Sequence, residues 1–370
     1  MKICVVGLGY IGLPTASMFA SRNFEVIGVD INENVIKAVN SGQAHFREPD
    51  LDMLMAAAVQ TGRLKAQSTP VEADVYILAV PTPFTDGHKP DLSYVSAAVN
   101  SIAPFVKHGS VVILESTSPV GTTEKIAEQL AKARPELSFP GYKEPGHENQ
   151  VFLAHCPERI LPGNDRIIGG MSTLCGKKAE AVYGAFVMGQ CYLTDCRTAE
   201  FVKLIENSFR DVNIAFANEL SMICDKLDID VWEAIQMANK HPRVDILRPG
   251  PGVGGHCIAV DPWFIVNSSP DESRIIRTAR EINLHKTDYV CERVKRLATR
   301  FRDPVIAFYG LTYKNDVGRP ARKPVAPYRR AVRPLFGRPH TGMRALDQSL
   351  ATISGRAQQR RAEEGRRGTQ

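Results

Sequence analysis

An α/β fold built on a doubly wound parallel sheet is what this sequence predicts, and three observations carry the prediction. Short apolar runs of β character alternate with helical stretches over the first part of the chain. A glycine-rich turn joins the first such run to the first helix, and each later run ends in a polar or proline-punctuated turn. Strands alternating with helices imply parallel pairing, because each crossover helix returns the chain to the same end of the sheet.

Ile3-Cys4-Val5-Val6 opens the chain as a strand. Gly7-Leu8-Gly9-Tyr10-Ile11-Gly12 is a turn, residues 13–21 a helix, and residues 25–29 a second strand ending at Asp30. This is a βαβ unit. Further strands are expected at 75–80, 111–114 and 151–154, with helices around 48–61, 93–104 and 123–133. The turns after those strands are Pro81-Thr82-Pro83, Glu115-Ser116-Thr117-Ser118-Pro119 and Cys156-Pro157-Glu158-Arg159. They are expected to wall a site, since open α/β sheets bind ligands at the carboxyl ends of their strands.

From Thr198 the texture changes to a long helix through Asp225 and a second helix near 230–240. Phe201, Leu204, Ile205, Ile214, Phe216 and Leu220 give the long helix enough apolar surface to bury one stripe and offer another to a second copy. A homodimer through this helix is expected. Helices follow at 271–286 and 288–301, and Val305-Ile306-Ala307-Phe308-Tyr309-Gly310 has the pattern of the first strand of another α/β unit.

At 370 residues the chain exceeds one ordinary core, and 44% apolar with 23% charged residues is a globular composition. The expected division is a Rossmann-like nucleotide-binding domain at 1–197 and a central helical domain with a cysteine loop at 198–302. The start of a C-terminal α/β domain follows at 303–318, and a basic tail at 319–370. That tail holds 12 Arg and one Lys against three acids. It has too little apolar surface to offset its ordering entropy, so disorder is expected, and a shifted reading frame in a GC-rich gene accounts for its texture. Ahead of it, 33 basic residues face 37 acidic ones, which leaves no nucleic-acid footprint in the body. No apolar run is long enough to span a membrane, no signal peptide precedes the first strand, and the eight cysteines form no C-x-x-C pair. A cytoplasmic protein with reduced thiols and no metal site is expected.

Gly7-x-Gly9-x-x-Gly12 follows a strand, opens a helix, and is followed 18 residues later by Asp30. Glycines allow the tight turn and the close approach of a pyrophosphate, whose charge meets the helix N-terminus; a carboxylate at Asp30 suits ribose hydroxyls and repels a 2′-phosphate. NAD is the expected cofactor. Lys203 and Asn207, at i and i+4, share a helix face, which suits a donor or base beside a reacting alcohol, and Arg210 continues it at i+7 as an anion contact. Arg243, in His241-Pro242-Arg243-Val244, is either a surface charge or a guanidinium for a phosphate or carboxylate. The run Gly250-Pro251-Gly252-Val253-Gly254-Gly255-His256-Cys257 sets a thiol in a glycine-rich loop four residues ahead of Asp261. A reachable thiol beside an acid points to covalent chemistry.

With the fingerprint, the Lys203/Asn207 face and the cysteine loop in this order, residues 1–317 resemble the UDP-glucose/GDP-mannose dehydrogenase family. The resemblance implies a four-electron oxidation of a sugar-nucleotide C6 alcohol to a carboxylate with two NAD. It implies Cys257 as nucleophile, Lys203 as acid/base, Asn207 and Asp261 as supports of the reacting centre, and Thr117 and Glu158 as its lining. Gly7, Gly9, Tyr10, Ile11, Gly12, Asp30, Thr82 and Thr117 fall at cofactor positions. Arg159, Ile160, Lys203, Asn207, Arg210, His241, Arg243, Gly254, Tyr313 and Lys314 fall at substrate positions. His256 and Val260 stand where the UDP-glucose and GDP-mannose branches usually carry Ser and Lys, which implies UDP-N-acetyl-D-mannosamine as substrate, with UDP-N-acetylglucosamine as the alternative. A two-electron 3-hydroxyacid dehydrogenase shares the fingerprint and the Lys/Asn pair but has no need of Cys257. Past Asp316-Val317 the family pattern of Asp-Asp-x-Arg-x-Ser-Pro gives way to Gly318-Arg319-Pro320, which implies an incomplete nucleotide-sugar domain and, as a non-enzyme alternative, an NAD-binding product without turnover.

Overall fold

The computed structural model describes residues 1–46, 51–158, 163–255, 257–302 and Ile306. Residues 1–289 form one compact unit; the described residues from Val290 onward belong to a second. The elements run β1 (Lys2–Val6), α1 (Gly12–Ser21), β2 (Glu25–Val29), α2 (Glu33–Asn40), α3 (Leu51–Gln60), β3 (Leu64–Gln67), β4 (Val75–Leu78), α4 (Ser93–Ile102), β5 (Val111–Leu114), α5 (Thr122–Ala133) and β6 (Phe152–His155). They continue with β7 (Arg166–Gly170), α6 (Thr173–Tyr183), β8 (Cys191–Asp195), α7 (Cys196–Leu227), α8 (Val231–Ala238), α9 (Asp261–Ser268) and α10 (Arg274–Ala298).

Eight strands form one sheet in the order β3-β2-β1-β4-β5-β6-β7-β8. The core pairs are parallel, with Ile3 opposite Val26 on one side and Val75 on the other. Strands β1, β4, β5 and β6 are buried almost throughout, as strands covered on both faces must be. Because the chain leaves β1 toward β2 and later returns to β4 on its other side, the topological switch point lies between β1 and β4.

The sequence pattern missed β7, α6 and β8, and the physical reason lies in composition. Arg166-Ile-Ile-Gly-Gly carries a cation and two glycines, yet β7 pairs antiparallel with β6 and parallel with β8. The glycines are there for contact: a Cβ at Gly169 would strike Ala199 of α7, and one at Gly170 would strike Gly176 of α6. Arg166 is buried because Glu115 and the rings of Tyr183 and Phe186 surround it.

Two helical expectations also change. Pro262 concealed α9, although proline is welcome in a helix's first turn, where its missing N–H would have no partner. The expected helices 271–286 and 288–301 are one helix, α10. Arg280, Asn283 and Lys286 interrupt its apolar period because they face polar groups of α7. Helix α7 itself spans 32 residues, capped by Asp195, whose side chain accepts from the Thr198 amide, and ended by Asp228 in the left-handed conformation. The expectations for residues 303–318 and for the 319–370 tail lie, Ile306 aside, outside the described residues.

Candidate active site

The turn after β1 shows what its glycines are for. Gly7 has φ +93°, and a Cβ there would stand 2.5 Å from the Ala79 carbonyl oxygen; one at Gly12 would run into the Gly7 carbonyl. Gly9 differs, since a Cβ there would meet nothing within 4 Å. Packing fixes the outer two glycines, and the middle one faces open space where a ligand's backbone approach is permitted. Helix α1 starts at Gly12 with no side-chain cap, so the positive end of its dipole faces the turn where an anion would sit. Asp30, at the end of β2, is held by the amides of Leu8 (3.0 Å) and Asn32 (2.9 Å), so its carboxylate is fixed beside the turn. On the β4 side of the switch point, the Thr82 hydroxyl donates to the Thr117 carbonyl at 2.6 Å, tying the loop after β4 to the loop after β5.

The second cluster is built on α7. Lys203 Nζ donates to the Glu158 carbonyl at 3.1 Å and lies 3.8 Å from the Glu158 carboxylate. One turn on, Asn207 Nδ2 donates to Asp261 Oδ2 at 2.5 Å. Asp261 is 3% exposed, and burial pushes its carboxyl up to about 7 against the opposing pull of the Asn207 amide and the Lys203 charge. Beneath the cluster, burial and then the charge of Lys203 press His155 down to about 3, so its imidazole is neutral. Cys257 is exposed, and its carbonyl accepts from the amides of Val260 (3.0 Å) and Asp261 (2.9 Å). The thiol residue is thereby fastened to the start of α9, where Val260 just before the helix and Phe264 and Ile265 within it pack with Leu204 in a small apolar cluster.

The loop after β4 reaches this centre as well. Phe84 packs on that apolar cluster, His88 stacks on Trp263 with centroids 4.1 Å apart, and Asn267 donates to the His88 carbonyl at 2.6 Å. One loop therefore carries Thr82 at the nucleotide crevice and leans on the helix that follows Cys257. Sequence reasoning had no signal for this, because the partners are more than 170 residues apart.

Residues 1–187 match the NAD binding domain of the UDP-glucose/GDP-mannose dehydrogenase family, and residues 197–285 match its central domain. The chain belongs to that family. It is 58% identical over 323 residues to an NDP-N-acetyl-D-galactosaminuronic acid dehydrogenase of Ralstonia nicotianae, covering 85% of this chain and 76% of the relative. It is 56% identical over 325 residues to a UDP-N-acetyl-D-mannosamine dehydrogenase of Campylobacter jejuni, covering 85% and 79%. Among solved structures, a UDP-D-ManNAc dehydrogenase from Pyrococcus horikoshii superposes with a TM-score of 0.82 at 39% identity, covering 91% of this chain and 82% of that one. The UDP-N-acetyl-mannosamine dehydrogenase of Staphylococcus aureus gives 0.80 at 43%, covering 90% and 80%.

As a family member the chain is an NAD-dependent nucleotide-sugar dehydrogenase, and the glycine cradle, the uncapped α1 and the fixed Asp30 suit the dinucleotide. Lys203, Glu158, Asn207 and Asp261 are brought together, with Cys257 tied to Asp261 through the backbone. Thr117 is buried beside Thr82, Tyr10 is exposed with its ring against Phe46, and Gly254 is buried in the cysteine loop. Arg210, His241 and Arg243 are exposed; the buried continuation of the Lys203/Asn207 face is Asp211, not Arg210. Arg159, Ile160, His256, Tyr313 and Lys314 lie outside the described residues.

Proposed function

We propose that the chain oxidises the C6 alcohol of UDP-N-acetyl-D-mannosamine to UDP-N-acetyl-D-mannosaminuronate, a four-electron reaction that feeds surface-polysaccharide synthesis in the cytoplasm. The observation that carries the reading is the exposed Cys257, tied through its carbonyl to Asp261, which is itself bonded to Asn207 one turn from Lys203 on α7. Both relatives named above carry an N-acetylated hexose on a nucleoside diphosphate in their names, which supports the substrate class. NAD, when bound, takes up a hydride at each of the two oxidations.

The chain's own groups do the remaining work. Lys203 exchanges the proton of the reacting oxygen, and Asn207, oriented by Asp261, donates a hydrogen bond to that oxygen. The Cys257 thiolate adds to the aldehyde carbon: a C–S bond forms and the carbonyl oxygen takes a proton, giving a thiohemiacetal. After the second oxidation that carbon is a thioester. Water positioned by Glu158 attacks it in the site that Thr117 helps to line, the C–S bond breaks, and the acid leaves while the sulfur regains its proton. Gly7, Gly9, Tyr10, Ile11, Gly12, Asp30, Thr82 and Thr117 hold the dinucleotide. Arg159, Ile160, Arg210, His241, Arg243, Gly254, Tyr313 and Lys314 contact the UDP-sugar.

Wild type should release two NADH per UDP-N-acetyl-D-mannosamine consumed and less readily oxidise its glucosamine epimer, while Cys257→Ser should accumulate aldehyde. One NADH from wild type with free aldehyde would overturn the four-electron reading; NAD binding without UDP-sugar binding in calorimetry would overturn the enzyme reading. We further propose that the domains divide at 197/198 and 302/303, and that two copies associate through α7. On that helix Phe201, Ile205, Phe209 and Phe216 are exposed, Phe209 at 68%. Light scattering should show a dimer that Phe209→Asp dissociates, and a monomeric wild type would refute the association.

A further inference from the structure

A column of buried polar side chains runs between α7 and α10 and ends on the first residue of the cysteine loop. The Gly250 amide donates to Asn218 Oδ1 at 2.8 Å. Asn218 Nδ2 donates to Asn283 Oδ1 at 2.8 Å, and Asn283 Nδ2 donates to Asp211 Oδ1 at 2.8 Å and to the Asp211 carbonyl at 3.0 Å. Arg280 Nη1 closes the column on Asp211 Oδ1 at 2.6 Å. Asp211, Asn218, Asn283 and Arg280 are each at most 2% exposed.

Burying four such groups is costly, and apolar residues of similar volume would join two helices as well. The column has direction: every amide accepts from the loop side and donates toward a carboxylate, an arrangement in which successive hydrogen bonds polarise one another. Its other end is a loop that needs an anchor. Gly252 and Gly255 take φ of 153° and 93°, glycine-favoured conformations at positions with little intrinsic stiffness of their own. The far end of the loop is fixed by the Cys257 carbonyl on α9, and the near end by Asn218, with a weaker contact from the Thr287 hydroxyl to the Pro251 carbonyl at 3.4 Å. Asn218 also lies on the same face of α7 as Lys203, Asn207 and Asp211, at i+15, i+11 and i+7 from them.

From this placement we infer that Asn218 and Asn283 are positioning residues for Cys257. They set the thiol-bearing loop in register with Lys203 and Asn207 by hanging it from the same helix. The inference rests on the four-electron reading for its kinetic consequence and on the hydrogen-bond column for its structural one. Loss of the anchor acts on the step that needs the sulfur, the capture of the aldehyde, and leaves the first oxidation in place.

Two measurements test it. In the wild-type protein, Gly250 holds the one amide of the Pro249-Gly250-Pro251 segment, so its hydrogen exchange reports the anchor directly. Protection at least a hundredfold over an unstructured amide is expected, and exchange at the unprotected rate overturns the anchor whatever the protein's activity. In Asn218→Ala, with NAD and UDP-N-acetyl-D-mannosamine, the first oxidation should stay within about threefold of wild type. Aldehyde trapped by hydroxylamine should rise at least tenfold, and NADH per sugar consumed should fall from two toward one. A variant that loses both oxidations equally, or that keeps two NADH with no trapped aldehyde, overturns the positioning role. If wild type itself stops at one NADH, the four-electron reading fails instead, and the exchange experiment still decides the anchor. Should Asn218→Ala fail to fold, Thr287→Val, at a half-buried position that also holds the loop through Pro251, takes its place with a smaller rise of about threefold in trapped aldehyde expected and no rise counting against the inference.

Discussion

Replacing Asp261 by Asn tests how the reaction centre is held against its own desolvation. The unfolded chain loses the Asp261 proton above about pH 3.8, whereas burial keeps it on the folded protein up to about 7. Within that window the folded state binds more protons, so stability falls as pH rises and levels off above 7. The cost, once the carboxyl is ionised, is about 4 kcal/mol. Asn keeps the shape and the acceptor for Asn207 but cannot ionise, so the stability of the variant relative to wild type should grow with pH over the same window. For a folded body of about 300 residues, with an unfolding entropy of roughly 2.1 cal/mol/K per residue, the growth corresponds to about 6 °C in Tm. Glu200, also pushed up to about 7 by burial, is present in both proteins and cancels. Thermal unfolding from pH 4.5 to 8 reads the difference, and a gap that is constant or narrows with pH would refute the reasoning. Turnover should fall in the same variant, because the ionisable carboxyl whose charge couples to Lys203 is gone.

Other positions separate folding from binding. Gly9→Ala should unfold at the wild-type temperature yet bind NAD at least tenfold more weakly, whereas Gly12→Ala should lose roughly 2–4 kcal/mol of stability because its Cβ runs into the Gly7 carbonyl; calorimetry with NAD and urea unfolding distinguish the two. Glu200 accepts from the Gly121 amide (2.6 Å), the Thr123 amide (2.8 Å) and the Thr123 hydroxyl (2.6 Å), and so caps α5 from α7. Glu200→Ala should cost about 2–3 kcal/mol in urea unfolding, and an unchanged midpoint would show that the cap is redundant.

The βαβ opening was legible because periodicity and glycine placement are local properties: Gly7, Gly9, Gly12 and Asp30 signal their roles within 24 residues. Strand β7 was not, since its glycines answer to α6 and α7, elements the local pattern cannot see. The polar residues of α10 likewise look like breaks in a helix until Asp211 and Ser221 are placed opposite them.

By itself the sequence determined the class of fold, the dinucleotide turn and the residue types of the chemistry, because each is written in short-range spacing. Tertiary structure alone decided which of those residues meet. It put Asp211 rather than Arg210 on the buried face of α7, because helix geometry and the position of α10 select the face. It also buried Asp261 against Asn207, where burial raises its carboxyl to about 7, a consequence of desolvation that no spacing along the chain encodes.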